Sequence, residues 1–134
     1  MKPLADIERD LPNGFHDALL EDIEISFLTA EVRMTLQLFL GEPDAVTKLD
    51  REKYRRATLL FKDVVYFVID APSEGRIFAQ FGPLRIDAGE ASRGPNAPKS
   101  LRPLPPGAFA YWVYIEVWNS FIHLAARFAT LEWK

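Results

Sequence analysis

The stretch Ala110-Tyr111-Trp112-Val113-Tyr114-Ile115-Glu116-Val117-Trp118-Asn119-Ser120-Phe121-Ile122-His123-Leu124-Ala125-Ala126 reads as a β-hairpin with two chemically different faces. Asn119-Ser120 is of turn-forming type. A two-residue loop there sets Trp118 opposite Phe121, Val117 opposite Ile122, Glu116 opposite His123 and Ile115 opposite Leu124. Farther out it pairs Tyr114 with Ala125, Val113 with Ala126 and Trp112 with Arg127. Side chains alternate across a strand, so Val113, Ile115, Val117, Ile122, Leu124 and Ala126 share a core face. The opposite face carries Trp112, Tyr114, Glu116, Trp118, Phe121, His123 and Arg127. An acid and an imidazole among aromatic rings make that face the candidate site.

The rest of the chain suits one mostly β domain. Its 134 residues can bury about two-thirds of the surface the unfolded chain exposes. The 49% hydrophobic and 26% charged fractions are ordinary for a globular protein. The absence of cysteine excludes disulfides, thiolate zinc sites and a cysteine nucleophile. No run approaches the roughly 18 apolar residues of a membrane-spanning helix. Residues 1–10 carry Asp6, Glu8 and Asp10 without an apolar run, unlike a signal peptide. The expectation is therefore a cytoplasmic protein with no membrane partner. A net charge of −3 argues against a nucleic-acid partner.

A first hairpin precedes the quoted one. Ile23, Ile25 and Phe27 alternate with Asp22, Glu24 and Ser26; Val32, Met34, Leu36, Leu38 and Leu40 alternate with Arg33, Thr35, Gln37 and Phe39. A turn at Thr29-Ala30 pairs Phe27 with Val32, Ile25 with Met34 and Ile23 with Leu36, all in the core. Thr-Ala suits a two-residue turn poorly, which leaves a four-residue loop open. Residues 1–14, punctuated by Pro3, Pro12 and Gly14, read as an irregular arm. One short helix is expected near 44–56, with Asp44 close to its N-cap and Asp44/Lys48, Lys48/Glu52 and Glu52/Arg56 at i,i+4 spacing. Residues 57–70 are strand, buried along Val64 to Ile69, with an irregularity at Lys62-Asp63. Near Arg127-Phe128 the apolar parity switches, which calls for a bulge or bend.

Residues 71–108 hold seven of the ten prolines and five of the seven glycines. They read as a long loop with extended pieces at Arg76 to Phe81 and Pro83 to Asp87. Ile77, Phe78, Phe81, Leu84 and Ile86 would anchor it as a cover over the aromatic face. The fold class is thus a curved antiparallel sheet, a sandwich or partly open barrel, with α+β also compatible.

The chemistry is sparse. There are two histidines. His16 can meet Asp17 in a turn, and His123 is expected opposite Glu116; such pairs orient a general base or a metal ligand. The ordinary alternative, favoured for each, is a structural hydrogen bond. No nucleophile elbow, phosphate loop or zinc-protease helix occurs. Five serines stand in no recognisable nucleophile setting. A metal site from His16, Asp17, Glu116 and His123 is disfavoured by their separation, so neither metal nor cofactor is expected. Residues 1–28 hold seven acids against two basic residues, and residues 48–62 hold six basic residues against two acids. Complementarity within the molecule is the first reading; a partner-binding basic patch is the sharper one.

The segments Leu11 to Ala18, Pro105 to Ala110 and Trp118 to His123 resemble a family of small uncharacterised bacterial proteins over most of the chain. That family supplies no activity to transfer. Phe15-His16-Asp17-Ala18 before an Ile-rich alternating strand is also similar to the opening of some immunity proteins of bacterial polymorphic toxin systems. That resemblance spans about the first hairpin and implies a non-enzymatic, protein-binding role. Two functions follow as expectations. One is a non-catalytic bacterial binding protein of immunity type, using an exposed loop or edge. The other is a small hydrolase or ligand-binding protein using Glu116 and His123, with His16 and Asp17.

Overall fold

The computed structural model describes residues 3–92 and 95–134. Its elements are helix α1 (Leu4–Arg9), strands β1 (Ala18–Ser26) and β2 (Glu31–Phe39), helix α2 (Lys48–Arg51), and strands β3 (Tyr54–Ile69), β4 (Leu84–Glu90), β5 (Phe109–Ile115) and β6 (Ser120–Trp133). The strands close an antiparallel barrel in the order β1-β2-β3-β6-β5-β4. The mostly β, barrel-like expectation holds. Closure is short: β1 meets β4 only at Ala18↔Ile86, Leu19↔Arg85 and Leu20↔Leu84. Alternation packs Val32, Met34, Leu36, Leu38, Leu59, Phe61, Val113, Ile115, Ile122 and Leu124 into the interior.

Both hairpins have longer loops than a two-residue reading allows. The C-terminal loop is residues 116–119, closed by Asn119 in the left-handed region at φ +47°. Trp112 therefore pairs with His123, Tyr114 with Phe121, and Ile115 with Ser120. The first hairpin turns through residues 27–30, with Ala30 at φ +54°. Ile23 pairs with Met34 and Ile25 with Val32. The displacements are even, four residues and two, so residues that remain in the strands keep their expected face while changing partner, whereas Glu116, Val117 and Trp118 pass into the loop.

The odd apolar row of β1 runs out of the core. Ile23 is half-buried, Ile25 is 44% exposed and Phe27 is 93% exposed. The expected core positions of Ile25 and Phe27 are thus corrected. Beyond Leu20, β1 has no ladder with β4, so one flank of this row stays open. A register shift between Leu20 and Asp22 moves the inward set from Ala18 and Leu20 to the odd residues.

The bend expected in β6 is present. Its inward set changes from Ile122, Leu124 and Ala126 to Ala129, with Arg127 and Phe128 exposed between them. Across the ladder Asp63 sits at φ +52°, and Lys62↔Phe128 and Val64↔Ala126 keep one register around it. Both strands therefore turn at one level.

Residues 1–14 are not an irregular arm throughout. α1 buries Leu4 and Ile7, and Phe15 follows into the core, together stopping one barrel end. The helix has one apolar pair at i,i+3 and an Asp6–Arg9 ion pair on its outer side. Asn13 Nδ2 donates to the Phe39 and Gly41 carbonyls, each at 3.0 Å, fastening the following turn to the end of β2. Gly41 is required there: a Cβ would lie 2.0 Å from the Arg51 carbonyl oxygen. α2 is a single turn without buried residues; its N-cap is Thr47, not Asp44, with Oγ1 accepting from Asp50 N at 3.2 Å.

Candidate functional site

The aromatic face survives the change of register, but its acid–imidazole pair does not. Glu116 lies in the β5–β6 loop, and its N–H donates to the Arg85 carbonyl. It is not opposite His123. His123 stands on a rung with Trp112 and Val68, and its Nε2 lies 2.9 Å from Asp70 Oδ2. The imidazole is largely covered, with a side-chain exposure of 13%, and its ring stacks on Phe121 at 5.8 Å. Asp70 was missed in the sequence because its approach depends on which rung of β3 meets His123.

The second histidine gathers a larger set. His16 Nε2 lies 3.4 Å from Asp17 Oδ2, as a turn permits, with Asp17 in the left-handed region at φ +57°. His16 Nδ1 also lies 3.6 Å from Asp87 Oδ2 on β4, and Arg85 faces Asp17 at 3.7 Å. Asp87 joins the outer face through its rung with Tyr114, which in turn pairs with Phe121. The face therefore has two acid–imidazole pairs at its edges and aromatic rings between them.

Trp112, Tyr114 and Phe121 border an open cleft of about 310 Å³ with Asp87, Asn96, Ala97 and Pro98. Trp112 and Phe121 meet edge-to-face at 6.0 Å, and Tyr114 and Phe121 are tilted at 5.1 Å. Arg127 is exposed at the bend in β6, not in this cleft. Trp118 also leaves the face. It is buried, donates Nε1–H to the Phe78 carbonyl at 2.6 Å and stacks on the Phe78 ring at 5.1 Å.

Residues 71–108 divide between three tasks. Residues 71–82 lie across the barrel end opposite α1, tied there by Ser73 and Phe78 to the β5–β6 loop. Ile77 and Phe81, expected to anchor the segment, are exposed. β4 completes the barrel. Residues 96–102 then flank the outer face, where Arg102 donates to the Val65 carbonyl and lies over the Tyr66 ring.

At the open end a second cleft, about 330 Å³, runs between β1 and residues 78–82 over Leu20, Ile23, Ile69, Leu84 and Trp118. A larger groove, about 510 Å³, lies under α1 and beside Gly89 and Trp112; apart from Trp112 it touches none of the expected site residues.

The basic and acidic segments meet within the molecule. Arg56 and Gln37 both donate to Glu21 Oε2, at 2.8 and 2.9 Å, joining the basic segment to the acidic one. The Arg56 bond, then the Gln37 bond, holds the Glu21 carboxyl below its ordinary value despite partial desolvation. Lys62 faces Glu31, and Arg55 lies over the Trp133 ring. Among the described residues no group of three or more histidines and acids is placed to hold a metal ion. No helix among them is long and apolar enough to cross a membrane. Comparison with family models, curated proteins and solved structures returned no match.

Proposed function

We propose that the chain is a non-catalytic binding protein of immunity type that engages another protein through the open end of its barrel. The observation that carries this reading is the apolar row that starts at half-buried Ile23 beside residues 78–82 and continues past the core to Ile25 and Phe27, which are 44% and 93% exposed. Leu28 beside it is 99% exposed. Ile69, Ile77, Phe78 and Phe81 add apolar surface from β3 and residues 71–82 at the same end. Large exposed apolar groups concentrated in one region mark interaction surfaces, whereas scattered ones need no explanation.

The hydrolase alternative is weaker on these geometries. Glu116 and His123 are apart, and His123 is engaged by Asp70. The hydroxyls of Ser73, Ser100 and Ser120 each donate to a backbone carbonyl, and Ser26 Oγ accepts from Thr29 N. A catalytic imidazole needs a nucleophile or substrate within reach.

The test is isothermal titration calorimetry against the product of the neighbouring gene, which an immunity role expects to be a toxin. A one-to-one complex with negative ΔCp is expected, as apolar burial requires. Phe27→Asp and Phe81→Asp, both at exposed positions, should abolish it while leaving circular dichroism unchanged. No binding, or binding indifferent to both substitutions, would overturn the proposal.

A further inference from the structure

The outer cleft is a different surface from the barrel end, and its chemistry points to a different ligand. Trp112, Tyr114 and Phe121 line it from two neighbouring strands, and Asp87 supplies a carboxylate beside them. The rings are inclined to one another, at 82° for Trp112–Phe121 and 54° for Tyr114–Phe121. They enclose a concavity and do not form the parallel slot that would grip a flat base.

The polar edges of two rings are already used. Trp112 Nε1 donates to the Glu90 carbonyl at 3.2 Å, and the Tyr114 hydroxyl donates to Asn119 Oδ1 at 2.7 Å. A sugar stacked here would find the Asn96 amide as a side-chain donor beside the rings and the Asp87 carboxylate, fewer donors than a pyranose with several hydroxyls calls for. Among the described residues no lysine or arginine borders the cleft. Arg85, on the same strand as Asp87, is turned toward Asp17. The Asp87 carboxylate is 47% exposed; Oδ1 accepts from Ala88 N at 2.9 Å and Oδ2 faces His16. The position of the indole is set by the backbone, because it lies against Gly89 where any Cβ would overlap it.

We propose that this cleft binds a weakly hydrated organic cation, an alkylated ammonium or a guanidinium group. Ring faces attract cations through their quadrupoles, Trp most strongly, and a carboxylate beside them adds Coulombic attraction. A weakly hydrated cation surrenders little solvation on entering, which separates it from sodium or a bare ammonium ion. The cation is either a free small molecule or a side chain of another protein, with the same chemistry at the site.

The experiment is an amide and indole nuclear magnetic resonance titration of the intact chain at pH 8, above the ordinary imidazole range. The probes are choline, its uncharged isostere 3,3-dimethylbutan-1-ol, and a short peptide carrying trimethyl-lysine. Choline or the peptide should saturate shifts confined to Trp112, Tyr114, Phe121 and Asp87. The isostere should bind roughly 2–5-fold more weakly, the range a solvent-exposed cation–π contact supplies. Asp87→Asn should weaken the cation about 3-fold or more without moving the isostere. Phe121→Leu gives a second variant that keeps the charge and should weaken the cation too. Preference for the peptide over choline assigns the cation to a protein side chain; the reverse assigns it to a free ammonium compound. Equal affinity for choline and the isostere, or no saturable shift at Trp112 with any cation, would overturn the proposal.

Discussion

Replacing Gly89 by Ala tests how the aromatic face is built. The added Cβ would lie 2.5 Å from Trp112 Cζ2, 3.0 Å from Cε2 and 3.3 Å from Cη2. Carbon atoms at ease sit about 3.5–4.0 Å apart, so the indole must retreat by roughly 1 Å. That movement strains two contacts. One is the hydrogen bond from Nε1 to the Glu90 carbonyl, worth about 0.5–1.5 kcal/mol net. The other is the edge-to-face contact with Phe121, worth about 0.5–1.5 kcal/mol. Ala in a strand recovers about 0.5–1 kcal/mol of backbone entropy relative to Gly. The net expectation is a loss of about 0.5–2 kcal/mol in urea unfolding, with a changed near-ultraviolet circular dichroism spectrum. In a Trp112→Leu background the cost should largely vanish, because the two residues are coupled. An undiminished cost in that background, or no cost in the wild type, would refute the packing argument.

Three further outcomes follow from burial and charge. Leu36→Ala should cost about 2–5 kcal/mol, and Ile25→Ala markedly less despite the same strand alternation, because Leu36 is buried and Ile25 is 44% exposed; equal losses in denaturant titrations would contradict the open barrel end. Trp118→Phe keeps most of the packing but removes the bond to the Phe78 carbonyl, so hydrogen exchange in residues 71–82 should quicken with little change in global stability. Because the Glu21 carboxyl is held below its ordinary value of 4.5, its contribution to stability is present above that value and is lost as pH falls through the lower folded value. Glu21→Gln should therefore flatten the acid limb of a stability–pH curve below about pH 5 and leave its slope at neutral pH unchanged; an unaltered acid limb would show that the Arg56 bond does not matter in solution.

Which face each strand residue occupies was legible in the sequence; which residue it meets was not. Parity places Val113, Ile115, Ile122 and Leu124 inward for any even displacement of the hairpin, so the core was readable while the Glu116–His123 pair was not. Asn119 does turn the chain, but as the last residue of a four-residue loop. Parity also says nothing about cover. Ile25 and Val32 share a rung and a face, yet Val32 is buried between two neighbouring strands, while Ile25 lies on a strand whose ladder with β4 has ended. α1 has six residues and one buried apolar pair, too little for a periodic signal; its packing comes from the barrel end it stops. Asp70 and Asp87 reach the histidines through cross-strand proximity, which a local reading does not supply.

The claim that the open barrel end is the working surface is tested most directly by hydrogen exchange on the chain alone and in the presence of the product of the neighbouring gene, which the proposed immunity role expects to be its protein partner. Binding should slow exchange in residues 22–30 and 71–82, around Ile25, Phe27, Leu28 and Phe81. Exchange at Trp112–Ile115 on the outer face and along the basic residues 48–56 should stay as it is in the free chain. Protection confined to residues 48–56 or to the outer face, with residues 22–30 unaffected, would contradict the account.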